Sequence, residues 1–200
     1  MTLPKTLLQM AGADQTPNAF ADSVVITIDQ QNEYLSGALP LDGIEEALGE
    51  AAEVLSRARA VGTPIIHIVH QGSAGGAFDL DAERGQIADV VAAREGETII
   101  KKTLPNCFTT AALGSELEKI GRKKLIITGF MTHMCVSATV RAALDLGFST
   151  TVVSGATATR DLPSAAGDQV IKAQTIAEAT LAALADRFAI IVPSAAQLRD

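Results

Sequence analysis

The stretch that decides the fold covers residues 124–153 and reads KLIITGFMTHMCVSATVRAALDLGFSTTVV. Its first part, 124–128, is a short apolar run typical of a strand that is buried on both faces. Helical spacing follows over 134–146, Gly147 predicts the end of that helix, and 150–153 reads as a second strand. Strand, helix and strand in this order predict a βαβ unit with its two strands parallel in one sheet.

The same alternation runs through the rest of the chain. Further strand signals cover 23–29, 64–70, 98–101 and 188–192, and helical signals cover 44–61, 109–120 and 165–185. Six strands separated by helices predict an α/β fold: a three-layer α/β/α sandwich with a six-stranded parallel sheet and Rossmann-like topology. Residues 1–22 lack this periodicity and are expected to form an N-terminal arm, with 23–200 as a single domain.

Composition narrows the class of protein. The 200 residues carry 16 lysines and arginines against 23 acids, a net charge of −7, which argues against a nucleic-acid or anionic-membrane surface. Runs of 18 apolar residues are absent, and the N-terminus is too weakly apolar for a signal peptide. Two cysteines do not make a disulfide framework. We therefore expect a cytoplasmic protein.

Three chemically active residue types follow three of the predicted strands. Asp29 ends the first strand, Lys102 follows the third, and Cys135 opens the helix after the fourth. Taken singly, each has a structural explanation: a turn-forming acid, a solvated lysine and a buried small hydrophobe. Ligands in such sheets bind beyond the carboxyl ends of the strands, so the combination favours nucleophilic acyl chemistry. Helical N–H groups and a nearby ammonium should lower the pKa of the Cys135 thiol.

Three sequence motifs carry a resemblance to a known family. IDQQNEY at 28–34 looks like the family's D-x-Q-x-x-F/Y opening, KTLPNCF at 102–108 resembles its lysine segment, and GFMTHMCV at 129–136 resembles G-x-x-T-x-x-C-V. Their order and spacing make the region from Val24 to about Leu162 similar to the isochorismatase-like cysteine hydrolases, which include nicotinamidases.

The resemblance implies a Cys135–Asp29–Lys102 triad. In the family the thiolate attacks a carbonyl, usually of an amide, to give an acyl-enzyme, while the aspartate relays the proton and the lysine holds the charge. The resemblance also implies a cis bond between Phe130 and Met131, with the N–H groups of Met131 and Cys135 forming the oxyanion hole. A homo-oligomer, dimer or tetramer, is implied as well.

Substrate-binding candidates come partly from this resemblance and partly from position in the sequence. Gln31, Tyr34 and Phe108 occupy positions that line the family's pocket, and His70 stands at the end of the second strand. Phe78 is a further candidate from the long glycine-bearing segment.

No metal or organic cofactor is expected. Nicotinamidases carry an Asp-x-His metal motif, but no histidine here precedes His67, and the spacing of His67 and His70 sends them to opposite faces of a strand. Neither a dinucleotide fingerprint nor a phosphate-binding G-K-[ST] motif is present.

The sequence thus favours a cysteine hydrolase that cleaves a C–N amide-type bond of a small metabolite. True isochorismatases lack the nucleophilic cysteine, so Cys135 argues against that reaction. Three alternatives stay open: a ureido or carbamoyl hydrolase with the same triad, a non-catalytic binding protein on the hydrolase fold, and a thiol-redox role for Cys135 with Cys107. A Cys135–His133 pair is disfavoured, because residues two apart do not face each other on a helix.

Overall fold

The computed structural model describes residues 3–200 and contains a six-stranded parallel sheet. The strands in chain order are β1 Ser23–Ile28, β2 Ile65–His70, β3 Thr98–Lys102, β4 Lys124–Phe130, β5 Ser149–Ala158, β6 Leu162–Pro163, β7 Val170–Ile171 and β8 Ile190–Val192. The large sheet has the order β3-β2-β1-β4-β5-β8, and β6 and β7 form a separate antiparallel pair. The predicted three-layer α/β/α architecture with a six-stranded parallel sheet is confirmed.

Helices cover both faces of this sheet. They are α1 Leu7–Met10, α2 Ile44–Ala60, α3 Ala111–Ile120, α4 Ser137–Asp145 and α5 Ala173–Arg187. Alternate strand residues feed two separate apolar clusters, because successive side chains of a strand point to opposite faces. Val25 and Ile126 join the cluster under α2, whereas Val24 and Leu125 join the cluster under α3, α4 and α5.

The order of the strands fixes where a site can lie. After β1, the strands β2 and β3 are added on one side of β1. The chain then crosses back, and β4 pairs with the other side of β1. This reversal between β1 and β4 is the switch point at which ligands bind in open α/β sheets. Gly129 permits the close pairing there: its φ is +125°, and a Cβ would lie 2.1 Å from the Ile28 carbonyl oxygen.

Two predicted elements differ from the structure by more than three residues at one end. The helix expected over 165–185 begins only at Ala173, because 164–169 forms a turn that joins β6 to β7, closed by the Ser164 N–H on the Gln169 carbonyl. The strand expected over 150–153 continues to Ala158 through an irregularity, and within it the Gly155 N–H bonds the Pro193 carbonyl.

The last residues of the segment before β1 pack against the sheet. The Asn18 side chain donates to the carbonyls of Leu125 and Ser149, and Phe20 is fully buried. Residues 1 and 2 of the expected arm lie outside the described residues. Within residues 3–200, no helix combines the length and the apolar character needed to cross a membrane.

Candidate active site

The structure brings Asp29, Lys102 and Cys135 together at the carboxyl ends of the strands. Asp29 directly follows β1, Lys102 is the last residue of β3, and Cys135 lies in the helical turn after β4. The Lys102 Nζ lies 2.7 Å from the Asp29 Oδ2 and 3.4 Å from the Cys135 Sγ. All three residues are buried, with exposed fractions of 0%, 2% and 4% in chain order.

The Lys102 ammonium uses each of its three N–H donors. Besides Asp29 and Cys135, it contacts the Nδ1 of His70 at 3.2 Å. Burial alone would lower the pKa of Lys102, but the Asp29 carboxylate and the neighbouring Cys135 hold that pKa above its ordinary value. Lys102 is therefore a fixed positive charge at the centre of the site.

Asp29 is held in an unusual conformation with one oxygen free. Its φ is +53°, and Asp29 and Phe78 are the only residues other than glycine with a positive φ in the described part of the chain. The Oδ1 atom is buried and has no hydrogen-bond partner among residues 3–200. Burial raises the pKa of the Asp29 carboxyl, although Lys102 opposes the shift. An uncommon backbone conformation and an unsatisfied buried acceptor are typical of functional residues.

Cys135 sits where β4 turns into a helix. Residues 132–136 form a π-helical turn that runs directly into α4, and such turns are frequent at functional sites. Burial and the Asp29 carboxylate raise the pKa of the Cys135 thiol to about 12, and Lys102 only partly offsets them. The lowered pKa expected from the sequence is therefore wrong for the free enzyme, because desolvation and the Asp29 carboxylate outweigh the Lys102 ammonium.

The backbone before Cys135 is shaped as the family resemblance implies. The peptide bond between Phe130 and Met131 is cis. The Met131 carbonyl accepts hydrogen bonds from the N–H groups of Met134 and Val136, at 3.0 and 3.3 Å. These bonds hold the start of the helical turn against the end of β4.

His70 borders the ammonium and is fixed in one tautomer. Because Lys102 can only donate, the Nδ1 of a neutral His70 accepts and its proton resides on Nε2. Burial and the charge of Lys102 lower the pKa of His70 to about 4, so the ring is neutral at pH 7. The neutral ring thus contacts the Lys102 ammonium through Nδ1 and keeps a donor at Nε2.

Gln31 holds the backbone of His70. Its Oε1 accepts the His70 N–H at 2.8 Å, and its Nε2 donates to the carbonyls of His70 and Gly85 at 3.0 and 2.7 Å. Both amide hydrogens and the oxygen are engaged within the protein. These hydrogen bonds give Gln31 a positioning role for the His70 backbone.

Aromatic rings surround this region on one side. Tyr34 packs edge-on against Phe78 and Phe130, with ring centroids 5.0 and 5.8 Å apart, and Phe78 also contacts the His70 ring at 5.1 Å. Phe108 instead stacks on Phe148 at 5.7 Å. Tyr34 and His70 are thus neighbours through Phe78, whereas Phe108 belongs to the packing under α3 and α4.

Comparisons with known proteins identify the family to which this chain belongs. The family model described as "Isochorismatase domain" matches residues 23–195. The chain belongs to the isochorismatase family. The resemblance recognised from the three motifs is confirmed, and the protein is an isochorismatase-family hydrolase.

Similar proteins span nearly the whole chain. The secreted isochorismatase effector Isc1 of Verticillium dahliae is 34% identical over 92% of this chain and 95% of its own length. The uncharacterized isochorismatase family protein YddQ of Bacillus subtilis is 34% identical over 88% of this chain and 99% of its length. The solved structure of an isochorismatase from Pseudomonas putida KT2440 has a TM-score of 0.92 and 42% identity, over 97% of this chain and 99% of that chain.

The other two histidines of this isochorismatase-family hydrolase form hydrogen bonds with residues other than Cys135. His67 lies between Thr27 and Glu97, with ring nitrogens 3.0 and 2.8 Å from their oxygens. His133 bonds the Thr159 hydroxyl through Nδ1 at 2.5 Å. Groups of three or more His, Cys, Asp or Glu side chains that could hold a metal ion are not found within residues 3–200.

Cys107 is a fully buried free thiol in the cluster under α3 and α4. Burial and the charge of Asp29 raise its pKa to about 12, so the thiol is protonated at neutral pH. Cys107 therefore packs as a small apolar group.

Sequence reasoning missed Glu33, a fully buried acid next to Tyr34. Its carboxylate accepts the N–H of Ala38 at 2.6 Å and that of Phe78 at 3.4 Å, and it lies 3.6 Å from the Arg84 Nε. Glu33 thereby joins two loops that approach the site from distant parts of the chain. The available signal was an acid inside the first motif, between residues predicted to line a pocket.

Proposed function

We propose that this hydrolase cleaves a C–N amide-type bond of a small molecule with Cys135 as nucleophile and Asp29 and Lys102 as its partners. The observation that carries the proposal is the Lys102 ammonium, buried between the Asp29 carboxylate and the Cys135 sulfur at 2.7 and 3.4 Å. The three groups are shielded from solvent. The acid can transfer a proton, the cation can stabilise negative charge, and the thiol can attack a carbonyl carbon.

In the first half of the reaction, the Cys135 Sγ attacks the carbonyl carbon while its proton passes to Asp29. The raised pKa of the buried Asp29 carboxyl brings its proton affinity closer to that of the thiol, which makes it a suitable base. The N–H groups of Met131 and Cys135 would stabilise the oxyanion, each donor typically contributing about 10²–10³ in rate. The C–N bond then breaks, and the proton on Asp29 moves to the leaving nitrogen.

In the second half, water attacks the resulting thioester. Asp29, again ionised, accepts a proton from that water as it attacks. The tetrahedral intermediate then collapses and releases the carboxylic acid, while Asp29 returns its proton to the departing Cys135 sulfur and regenerates the thiol. Lys102 stays cationic throughout, because it offsets the negative charge that moves between the sulfur and the carboxylate. No step requires a metal or an organic cofactor.

Relatives with informative names support the bond type. Streptothricin hydrolase of Streptomyces noursei is 30% identical, and Nicotinamidase 3 of Arabidopsis thaliana is 25% identical. Ureidoacrylate amidohydrolase RutB of Stutzerimonas stutzeri is also 25% identical, and its name favours the second candidate, a ureido substrate cleaved by the same residues.

The test is ammonia release from small primary amides and ureido compounds by the wild type and Cys135→Ala. We expect the wild type to release ammonia and the variant to lose it while its urea unfolding curve stays close to that of the wild type. Cys107→Ala, which removes the other thiol, should keep activity. Equal ammonia release by Cys135→Ala and the wild type would contradict the proposal, and an inactive wild type would favour a binding protein on the hydrolase fold.

Assembly and location are part of the proposal as well. We expect a homo-oligomer, dimer or tetramer, that acts in the cytoplasm on a small molecule. Light scattering coupled to size exclusion measures the oligomeric state, and a monomer at working concentration would contradict that part.

A further inference from the structure

A cleft lies at the end of the sheet opposite to the candidate active site. It forms where β4 and β5 begin, and Lys124 and Ser149 line it. Asp29, Lys102 and Cys135 lie instead at the carboxyl ends of the strands. The seven residues of β4, at about 3.3 Å each, place the two ends about 20 Å apart. This cleft therefore has no part in the proposed reaction.

Parts of the chain that are distant in sequence build the cleft. Its volume is about 420 Å³, within the range of small-molecule sites. The helix α1 is held beside α5 by the Leu7 N–H, which donates to the Asp186 carboxylate at 2.8 Å. Much of the lining is apolar and comes from Leu8, Leu144, Phe148, Phe188 and Ile190. The cleft can therefore cover the apolar body of a ligand.

The Thr150 side chain lines this cleft with an unsatisfied hydroxyl. Thr150 is 3% exposed, and its Oγ1 is buried without a hydrogen-bond partner among residues 3–200. The next residue, Thr151, points to the other face of the sheet, where its hydroxyl accepts the Asn18 N–H at 2.9 Å. A buried hydroxyl without a partner is unfavourable. Thr150 therefore calls for a polar group supplied from outside the chain.

Two arginines that line the cleft have no acidic partner. None of the ion pairs formed within residues 3–200 includes Arg187 or Arg199. Both residues are exposed, and a guanidinium keeps its proton in a protein. They are therefore two permanent positive charges beside the apolar lining.

The other charged groups of the cleft are engaged within the protein. Lys124 pairs with Asp22 at 2.6 Å. The Asp14 carboxylate accepts the Thr16 N–H at 2.8 Å, and hydrogen bonding to Thr16 and, to a smaller extent, the charge of Arg199 lower the pKa of Asp14. Asp14 is therefore ionised at neutral pH and offsets one of the two arginines. One positive charge remains in excess, in a chain whose net charge is −7.

We propose that this cleft binds a small organic anion with an apolar body, at a site separate from the reaction centre. Arg187 and Arg199 attract the charge of the ligand, the Thr150 hydroxyl gains a hydrogen-bond partner on it, and the apolar lining covers its body. A guanidinium pairs with carboxylates and phosphates alike, so the experiment includes one anion of each kind. The inference does not depend on the proposed function.

The experiment follows the backbone amide signals of isotope-labelled protein by NMR as benzoate, phenyl phosphate or the neutral benzyl alcohol is added. We expect saturable shifts at the amides of the cleft, namely Gly147, Ser149, Thr150 and Ala189. At least one of the two anions should bind at least about fivefold more tightly than benzyl alcohol. Tighter binding of benzoate would assign a carboxylate ligand, and tighter binding of phenyl phosphate would assign a phosphate monoester.

Variants of the cleft separate recognition from structure. The double variant Arg187→Gln/Arg199→Gln should weaken binding of the anion by about five- to twentyfold and leave that of benzyl alcohol nearly unchanged, since exposed charges contribute modestly. Thr150→Val should weaken binding by about three- to tenfold. Without ligand, Thr150→Val should unfold at the same or a higher urea concentration than the wild type, because it removes a hydroxyl that lacks a partner.

Lys119→Gln is the matched control, because it removes an exposed positive charge that lies outside the cleft. It should leave the affinity for both anions unchanged. Three results would each overturn the inference: shifts confined to the surroundings of Cys135, shifts that grow without saturation, or equal affinity for the anions and benzyl alcohol. Affinities for the anions that stay the same in the double variant and in Thr150→Val would overturn it as well.

Discussion

At the scale of single residues, the clustering of the three candidate side chains was predictable because of where they stand in the sequence. Asp29, Lys102 and Cys135 each follow an apolar run, and parallel strands bring such positions to one edge of a sheet. Their protonation was not predictable, because it depends on how much water each group loses. That loss became visible only with the packing around Cys135, which is 4% exposed.

The charge balance around the sulfur predicts a counter-intuitive result for Asp29→Asn. The Asp29 carboxylate raises the pKa of Cys135, whereas Lys102 lowers it, so removal of the carboxylate should lower that pKa. Alkylation by iodoacetamide between about pH 6 and pH 9 should be slow in the wild type and at least about tenfold faster in Asp29→Asn, although hydrolysis is lost.

A Cys107→Ala background confines this alkylation to Cys135, and Lys102→Met should slow it further. If Asp29→Asn and the parent protein were alkylated at the same rate, the assigned roles of the two charges would be wrong. Slow reaction of the wild type near pH 7 is expected for the enzyme, and so it does not by itself favour a non-catalytic role.

At the scale of elements, the apolar strands and helices with clear periodicity were predicted with shifts of a few residues at their ends. The prediction failed where local chemistry was ambiguous. Ala165 and Ala166 suit a helix as well as a turn, but they lie in the local hairpin that the hydrogen bond between Ser164 and Gln169 closes. The continuation of β5 past Gly155 depends on Pro193, which is distant in sequence.

A buried polar network between α2 and the strands gives a pH-dependent prediction. Burial alone would raise the pKa of Glu97, but hydrogen bonds from Arg59, the Arg94 N–H and His67 lower it to about 2. A lowered acid pKa stabilises the fold fully above the ordinary value of 4.5, and the contribution is lost as the pH falls from there to about 2.

Glu97→Gln should therefore lower the free energy of unfolding by about 1.5–3 kcal/mol at pH 7. Urea unfolding at pH 7, 4 and 3 should show the difference from the wild type narrowing with acid. Glu95→Gln, at an exposed position nearby, should change stability little at any of these values. A difference that stays constant over this range would show that the ionised carboxylate is not the stabilising group.

At the scale of the whole molecule, the residues just before β1 and the last residues of the described chain meet at Arg57. Its guanidinium lies 5.2 Å from the centre of the Phe20 ring and donates to the carbonyl of Leu198 and the carboxylate of Asp200, at 3.1 and 2.6 Å. The Phe20 N–H in turn donates to the Arg199 carbonyl at 2.8 Å. The segment before β1 thus closes the cluster under α2.

This closure predicts unequal roles within residues 1–22. Removal of residues 1–16 should change the free energy of unfolding by less than about 1 kcal/mol, because α1 has no buried residue. Phe20→Ala should lower it by about 3–5 kcal/mol, since it leaves a cavity at a fully buried position. Urea unfolding measures both changes. Equal losses of unfolding free energy in the two variants would contradict this division and indicate that residues 1–22 stabilise the fold as one unit.

The placement of Tyr34 has a spectroscopic consequence. The chain contains one tyrosine and no tryptophan, so its near-ultraviolet fluorescence comes almost entirely from that ring. Tyr34 packs on Phe78 and Phe130 and responds electrostatically to Asp29, Cys135 and Arg160. The protein therefore carries one intrinsic optical probe in the aromatic cluster beside the candidate site, and titration of unlabelled protein with a ligand reports on the surroundings of that ring.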